Sequence, residues 1–283
     1  AADVGLPCVV KPLSLSASRG VIRADGPRAA AAAVARVRAI LAEAGDDPEE
    51  PLLIERYVPG AEMSVEGLLR AGSLETLAVF DKPDPLEGPF FEETIFTTPS
   101  RLPGEVVAAA TRTAADACAA LGLREGPVHA ELRTDGTRVW MLELAARSIG
   151  GLCSRSLRFG LGVSLEELIV RHALGLPLGE LRREAAASGV MMLPIPRAGG
   201  LREVRGQDEA RAVPGIAGLE ISIGRGRPVR PLPEGDRYLG FLFARGETPA
   251  QVEHALREAH ERLEIDIAEP AADARSEPVV GRG

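Results

Sequence analysis

The sequence predicts an α+β fold, and three observations carry that reading. Short apolar runs of strand length recur along the chain, several of them joined by tight turns. Two long Ala-rich stretches, AAAAAVARVRAILAEAG and EVVAAATRTAADACAALG, have the pattern of helices. A further helical stretch, HALREAHERL, closes a smaller group of strands near the end.

In chain order, residues 7–12 (PCVVKP) read as a short buried strand, followed by the small, polar LSLSASRG and a second strand, GVIRA. Asp25-Gly26-Pro27 opens the first helix; Pro27 suits its first turn and Gly45 its C-terminal stop. PLLIERYV is a strand, and PGAEMSVEGLLRAG with SLETLAVFDKP forms a hairpin or meander. EGPFFEETIFTTPS is flanked by prolines and reads as irregular. The second helix ends at Gly122. VHAELR, TDGT and VWMLEL read as strand, turn, strand. Ser164 with Glu167 forms a capping box for LEELIVRHALG. A polar break near 176–189 precedes a smaller α+β unit with strands VMMLPIP, LREVRG, GLEISIG and YLGFLFARG. Thr248 to Gln251 cap its helix, and a tail over 269–283 is expected to be disordered.

The 283 residues suffice for one large domain plus a smaller one. A net charge of −8 with no basic run argues against nucleic-acid binding. No apolar stretch approaches the ~18 residues of a membrane span. The opening AADVGLPCVV has no basic n-region or long apolar core, so it is not a signal peptide. Cys8, Cys118 and Cys153 are few, odd in number and far apart, which fits free thiols of a reducing cytoplasm. The chain begins without Met and enters a strand almost at once, so an N-terminal part of a longer protein is expected to precede it.

The chemistry concentrates at Glu131 and Glu143, which a tight hairpin sets on neighbouring strands. Two adjacent carboxylates repel unless a cation lies between them. They are either solvated strand acids or ligands of one ion, and Mg²⁺ is the usual ion where carboxylates meet nucleotide phosphates. The apolar flanks Val139, Trp140, Met141, Leu142 and Leu144 place Glu143 in a half or fully buried strand and favour ligation. Arg147 then adds a fixed positive fork beside the metal. Only two of the 33 basic residues are lysine, Lys11 and Lys82; against that arginine background, each reads as a point charge with its own task.

Lys11 runs into Ser14, Ser16, Ser18 and Gly20. Such a strand and small-residue loop is either a plain hairpin with a flexible turn or a loop whose N–H groups wrap phosphate. Neither GxxxxGK[ST] nor a dinucleotide fingerprint is present. Glu55 and Glu62 are either exposed acids or part of a nucleotide hinge. Glu93 sits in a loop that is either merely exposed or able to pair with an ammonium. His129, two residues before Glu131 on one strand, either faces the ligand or is a satisfied core histidine.

In order and spacing, VVKP with its loop, LLIERYVPGAEMSVEG and HAEL…MLELAAR resemble the ATP-grasp superfamily of carboxylate–amine ligases. FDKPDPLEGPFFEETIFTTPS, GPVHAEL, ELAARSIGG and the unit from GVMMLPIPRAGG onward are most similar to its dipeptide-forming L-amino-acid ligases. The resemblance implies an ATP-grasp fold: a partial lid over 1–55, a core with the metal site over 56–183, and a C-terminal α+β domain over 184–268. It implies that Lys11 contacts ATP phosphates under a mobile loop holding Ser16, Ser18 and Gly20. Glu55 and the Tyr57–Val58 backbone would lie at the adenine hinge, with Glu62 on the ribose and Lys82 in the phosphate neighbourhood. Glu131 and Glu143 would hold Mg²⁺, with Mn²⁺ as an alternative. Arg147 would face the reacting carboxylate and the tetrahedral intermediate, and Glu93, with Glu92 less central, the substrate amino group. Where many relatives carry a further Asn ligand, this chain has Ala145, which puts the ligand count of a second metal in doubt.

The implied reaction joins a carboxylate, an L-amino acid, to an amine through an acyl phosphate, releasing ADP and phosphate. The implied partners are small molecules and a second copy of the chain, with neither nucleic acid nor membrane. Biotin carboxylase-like, carbamoyl phosphate-forming or purine-ligase chemistry, and an inactive nucleotide-binding module, are the alternatives.

Overall fold

The computed structural model describes residues 3–269. Two sheets face each other across a cleft, and the smaller comes first in the chain. Strands β1 (Cys8–Lys11), β2 (Ile22–Ala24) and β3 (Leu53–Arg56) form it in the order β2-β1-β3, all antiparallel. Helix α1 (Pro27–Ala44) covers one face with Ala33, Val37 and Leu41, which pack on Val10 and Ile22. Pro27 opens the helix, and Gly45 ends it in a left-handed conformation at φ 85° that a Cβ would strain.

The second sheet has eight strands in the order β11-β13-β9-β6-β5-β4-β7-β8. Its centre is the hairpin of β4 (Ala61–Arg70) and β5 (Ser73–Lys82), extended by β6 (Ile95–Thr98) on one side. On the other side, β7 (Gly126–Thr134) and β8 (Val139–Ala145) form the expected hairpin. Helix α2 (Gly104–Ala120) buries Val106, Ala110 and Ala114 against Met63, Val65, Ala130 and Leu132. The opposite face of β4, β5 and β7 looks into the cleft.

The C-terminal segment is shared between the large sheet and a small one of its own. Strands β9 (Ala187–Leu193), β11 (Ile216–Ile221) and β13 (Gly240–Gly246) continue the large sheet through the β6–β9 pairing. A separate small sheet joins β12 (Pro228–Val229), β10 (Gly199–Arg205) and β14 (Glu264–Ala268). Short helix α4 (Gln207–Arg211) and helix α5 (Pro249–Glu261) complete the unit. Helix α5 carries the predicted capping box, with Thr248 and Gln251 each bonding the other's backbone. At helix α3 (Leu165–Ala173) only half of the expected box forms. Ser164 accepts from the Glu167 N–H, but the Glu167 carboxylate pairs with Arg171 instead.

Two strand readings are corrected. The segment read as irregular ends in strand β6, whose four residues are all buried. Strand β9 begins at Ala187, inside the small-residue stretch read as a break. Small residues are needed there because a Cβ on Gly189 would stand 2.6 Å from the Phe96 carbonyl oxygen and 2.8 Å from Val252. The disordered tail was expected over 269–283, and from residue 270 it lies outside the described residues. The three cysteines are free and buried, and among the described residues no helix is long and apolar enough to cross a membrane.

Gly189→Ala is expected to lower the urea midpoint by the equivalent of about 1–3 kcal/mol, the usual cost of overpacking a core. An unchanged midpoint would show that β9 and α5 can separate to admit a methyl group.

Candidate active site

Antiparallel pairing brings residues on different strands onto one face. Glu62 on β4 lies opposite Lys82 on β5 and Arg133 on β7; Ser64 lies opposite Glu131, and Glu66 opposite His129. Because side chains alternate along a strand, Glu62, Ser64 and Glu66 share the cleft face with His129, Glu131 and Arg133. Met63, Val65, Ala130 and Leu132 take the α2 face. The result is a buried field of alternating charge.

Lys82 sits at one end of this field with its side chain 2% exposed. Its ammonium donates to Glu62 at 2.6 Å, to Glu131 at 3.1 Å and, in the shortest contact, to Glu93. Arg133 spans the next stretch, donating to Glu62 at 2.7 Å, to the Val58 carbonyl at 2.6 Å and to the Leu86 carbonyl. At the other end, His129 bridges Glu66 at 2.7 Å and Glu131 at 3.2 Å. Burial disfavours the cationic form of His129, but Glu66 and Glu131 outweigh it and push its pKa up to about 10. Burial opposes the Lys82 charge too, yet Glu131, Glu93 and Glu62 hold its pKa well above the usual value. Burial would likewise raise Glu131, but Lys82 and His129 hold it well below the usual carboxylate range. For Glu93, burial prevails over the attraction of Lys82 and lifts the pKa to about 7.

Glu62, Glu93, His129, Glu131 and Arg133 line one side of a cleft of about 550 Å³, while Lys82 and Glu66 are buried and do not line it. The smaller sheet and its loop supply the other side with Lys11, Ser16, Ser18, Glu55, Tyr57 and Val58; Glu143 and Arg147 stand at the rim. Lys11 forms a 2.6 Å ion pair with Glu55 across β1 and β3. Gly20 lies behind the loop, its N–H bonded to the Pro233 carbonyl. Glu92 lines a separate small depression beside Arg230 and Arg237 rather than the cleft.

Lys82, expected in the phosphate neighbourhood, is enclosed by three carboxylates. The strand of Glu143 is half-buried as expected, with Glu143 itself exposed. The hinge backbone is partly committed within the protein: the Tyr57 N–H donates to Pro7, and the Val58 carbonyl accepts from Arg133. Sequence reasoning also missed Glu66 and Arg133 and left His129 open. Their signal was the alternation of E-M-S-V-E and H-A-E-L-R, polar at every second residue.

Glu131 and Glu143 are direct partners across β7 and β8. That pairing needs a bulge, because the register shifts by one residue between Glu131 and Leu132, leaving Leu142 unpaired. Without the shift Leu142 would face Glu131. Both hydrogen bonds to Glu131 end on Oε1, which leaves Oε2 for another partner. Two carboxylates at a cleft edge, one fixed and one free to adjust, are a hard-oxygen donor set that fits Mg²⁺. Among the described residues, the one group of three carboxylates whose oxygens all lie within 4.8 Å of one another is Glu62, Glu93 and Glu131.

The chain belongs to the ATP-grasp family, whose domain model matches residues 4–156. Residues 191–268 match a second model, the L-amino acid ligase C-terminal domain 2. Among solved structures, the L-amino acid ligase from Bacillus licheniformis is similar with a TM-score of 0.79 and 26% identity, over 95% of this chain and 67% of that one. Among curated proteins, the uncharacterized protein y4rH of Sinorhizobium fredii (strain NBRC 101917 / NGR234) is 24% identical over 95% of this chain and 55% of its own length. Carnosine synthase 1 of Gallus gallus is 38% identical over 44% of this chain and 13% of its own. The chain thus spans about half, or much less, of these curated relatives.

The His129 shift sets a pH dependence. Its folded pKa of about 10 exceeds the ordinary 6.5, so its stabilising contribution is full below pH 6.5, declines above it and is gone once the pH passes about 10. In metal-free buffer the melting temperature should fall across that window, and His129→Gln should flatten the fall. Equal slopes in the two proteins would show that His129 is not held cationic.

Proposed function

We propose that the protein is an ATP-dependent ligase that joins a carboxylate, an L-amino acid, to an amine through an acyl phosphate, releasing ADP and phosphate. The reading is carried by the charged field of β4, β5 and β7, which faces Lys11 at the end of β1 and the loop after it across the cleft in an ATP-grasp chain. The match to an L-amino acid ligase C-terminal domain and the likeness to the Bacillus licheniformis enzyme support the substrate class.

A carboxylate is a poor acyl donor, and phosphorylation turns it into a good one. Phosphoryl transfer depends mostly on positioning and charge neutralisation, and Lys11 is set to supply charge from the lid side. Glu131 and Glu143 would hold Mg²⁺, which when bound neutralises and aligns the phosphates. Arg147, exposed at the cleft rim with Nη1 on the Ser148 carbonyl, is the fork placed for the oxyanion of the tetrahedral intermediate. Glu93 is the carboxylate for the substrate ammonium. Its pKa of about 7 leaves it enough anionic character near neutrality to pair with a cation. The small sheet with α1, residues 8–56, acts as the lid that excludes water from the acyl phosphate. Residues 56–183 carry the metal and substrate carboxylates, and 184–268 support them through the shared sheet.

The test is ADP and phosphate release across pairs of L-amino acids. Release should require two amino acids. Arg147→Ala should lower kcat by about 10²–10³, the loss of one oxyanion donor. Glu143→Ala should raise the Mg²⁺ requirement more than the KM for ATP. AMP and pyrophosphate as products, or release indifferent to amino acids, would overturn the proposal.

A further inference from the structure

The ammonium of Lys82 occupies a position that three carboxylates would otherwise offer to a metal. Oxygens of Glu62, Glu93 and Glu131 all lie within 4.8 Å of one another, and Lys82 Nζ bonds all three. The Phe96 ring lies 5.1 Å from the same nitrogen. The site is built, since the lysine side chain is 2% exposed and those of Glu62, Glu93 and Glu131 are 7%, 15% and 20% exposed. The donors are hard oxygens, the set that divalent cations such as Mg²⁺ and Mn²⁺ take.

The triad also lies on the wrong side of Glu131 for the proposed metal. In the strand order β5-β4-β7-β8, Glu62 stands on the β4 side of Glu131 and Glu143 on the β8 side. An ion drawn into the triad would engage Glu131 away from Glu143. It would also occupy Glu93, the carboxylate needed for the substrate ammonium.

We propose that Lys82 is a positioning residue, a built-in cation that holds Glu62, Glu93 and Glu131 in place and keeps divalent ions out of the space between them. Metal is thereby confined to the Glu131–Glu143 edge. The roles of Glu93 and Glu143 rest on the ligase reading; the exclusion of an ion from the triad does not.

The experiment is an equilibrium titration of the full chain with Mn²⁺, followed by electron paramagnetic resonance, without nucleotide or amino acid. Lys82→Met should bind one more Mn²⁺ per chain than the wild type. Adding Glu93→Gln to Lys82→Met should abolish that gain. If Lys82→Met does not fold in chelator, Mn²⁺ should restore its melting transition, because the ion replaces the lost charge. A folded Lys82→Met that takes up no extra ion overturns the proposal. So does a gain that survives Glu93→Gln, or an unfolded variant that Mn²⁺ does not rescue. No turnover is involved, so a chain that fails as a ligase can still show the extra ion. Conversely, an active ligase whose Lys82→Met variant gains none would sink this inference alone.

Discussion

Charge alternation across three neighbouring strands is the constraint on which the rest of the site depends. Four carboxylates, Glu62, Glu66, Glu93 and Glu131, sit in or beside a sheet face that also carries a large apolar core. Buried carboxylates on this scale are tolerated only when cations and hydrogen bonds reach them. Lys82, Arg133 and His129 do so from positions that pair directly with Glu62 and Glu66. The register of the β5-β4-β7 ladder is therefore an electrostatic requirement as well as a packing one. A slip of one residue would turn the charges toward α2 and bring Met63 and Val65 into the cleft.

The two sides of the cleft are held by different forces. The large sheet is anchored by three apolar clusters, under α2, α3 and α5. The lid meets the rest of the molecule at two places. One is the loop before β6, where Ile22 bridges Phe90, the Arg23 N–H donates to the Pro89 carbonyl and Phe90 packs on the apolar core under α1. The other is the segment around Glu234, where the contacts are polar. Arg36 donates to the Glu234 carboxylate at 2.6 and 3.1 Å, Arg19 to its carbonyl at 3.1 Å, and Arg230 pairs with Glu43. Part-exposed ion pairs of this kind each contribute little and exchange readily with water. A firm sheet and a smaller one tied mainly at two loops suit the proposed site, which would admit substrates and then close. Tyr238, in the same segment as Glu234, lines the cleft, so these polar contacts lie beside one of its walls.

Local patterns made much of this legible. Helix ends followed Pro27, Gly45 and Thr248, and both hairpins followed from alternation and turn residues. Lys11 and Lys82 stood out as the only lysines, and both lie in ion pairs at or beneath the cleft. What Lys82 does was not legible, because its partners come from β4, β7 and the loop before β6, elements whose meeting only the folded sheet decides. Strand β6 was missed because its flanking prolines, Pro89 and Pro99, and its short length mimic a loop, while most of its pairing is with the distant β9. Strand β9 was placed late because Ser188 and Gly189 look like linker residues, although their small size is what the contact with β6 and α5 demands.

The bulge at Leu142 gives Glu143 a second duty. A hairpin set by the Thr134–Val139 pairing, continued without interruption, would send Glu143 to the face packed with Ala130, Val65 and Met63. That arrangement has one irregularity fewer but drives an unpaired carboxylate into the apolar layer beneath α2, a penalty far larger than that of one unpaired backbone residue. The charge thus favours the bulged alignment of the hairpin over the uninterrupted one. A neutral, apolar residue at the same position would remove the site's second carboxylate and also the reason for the strand to bulge.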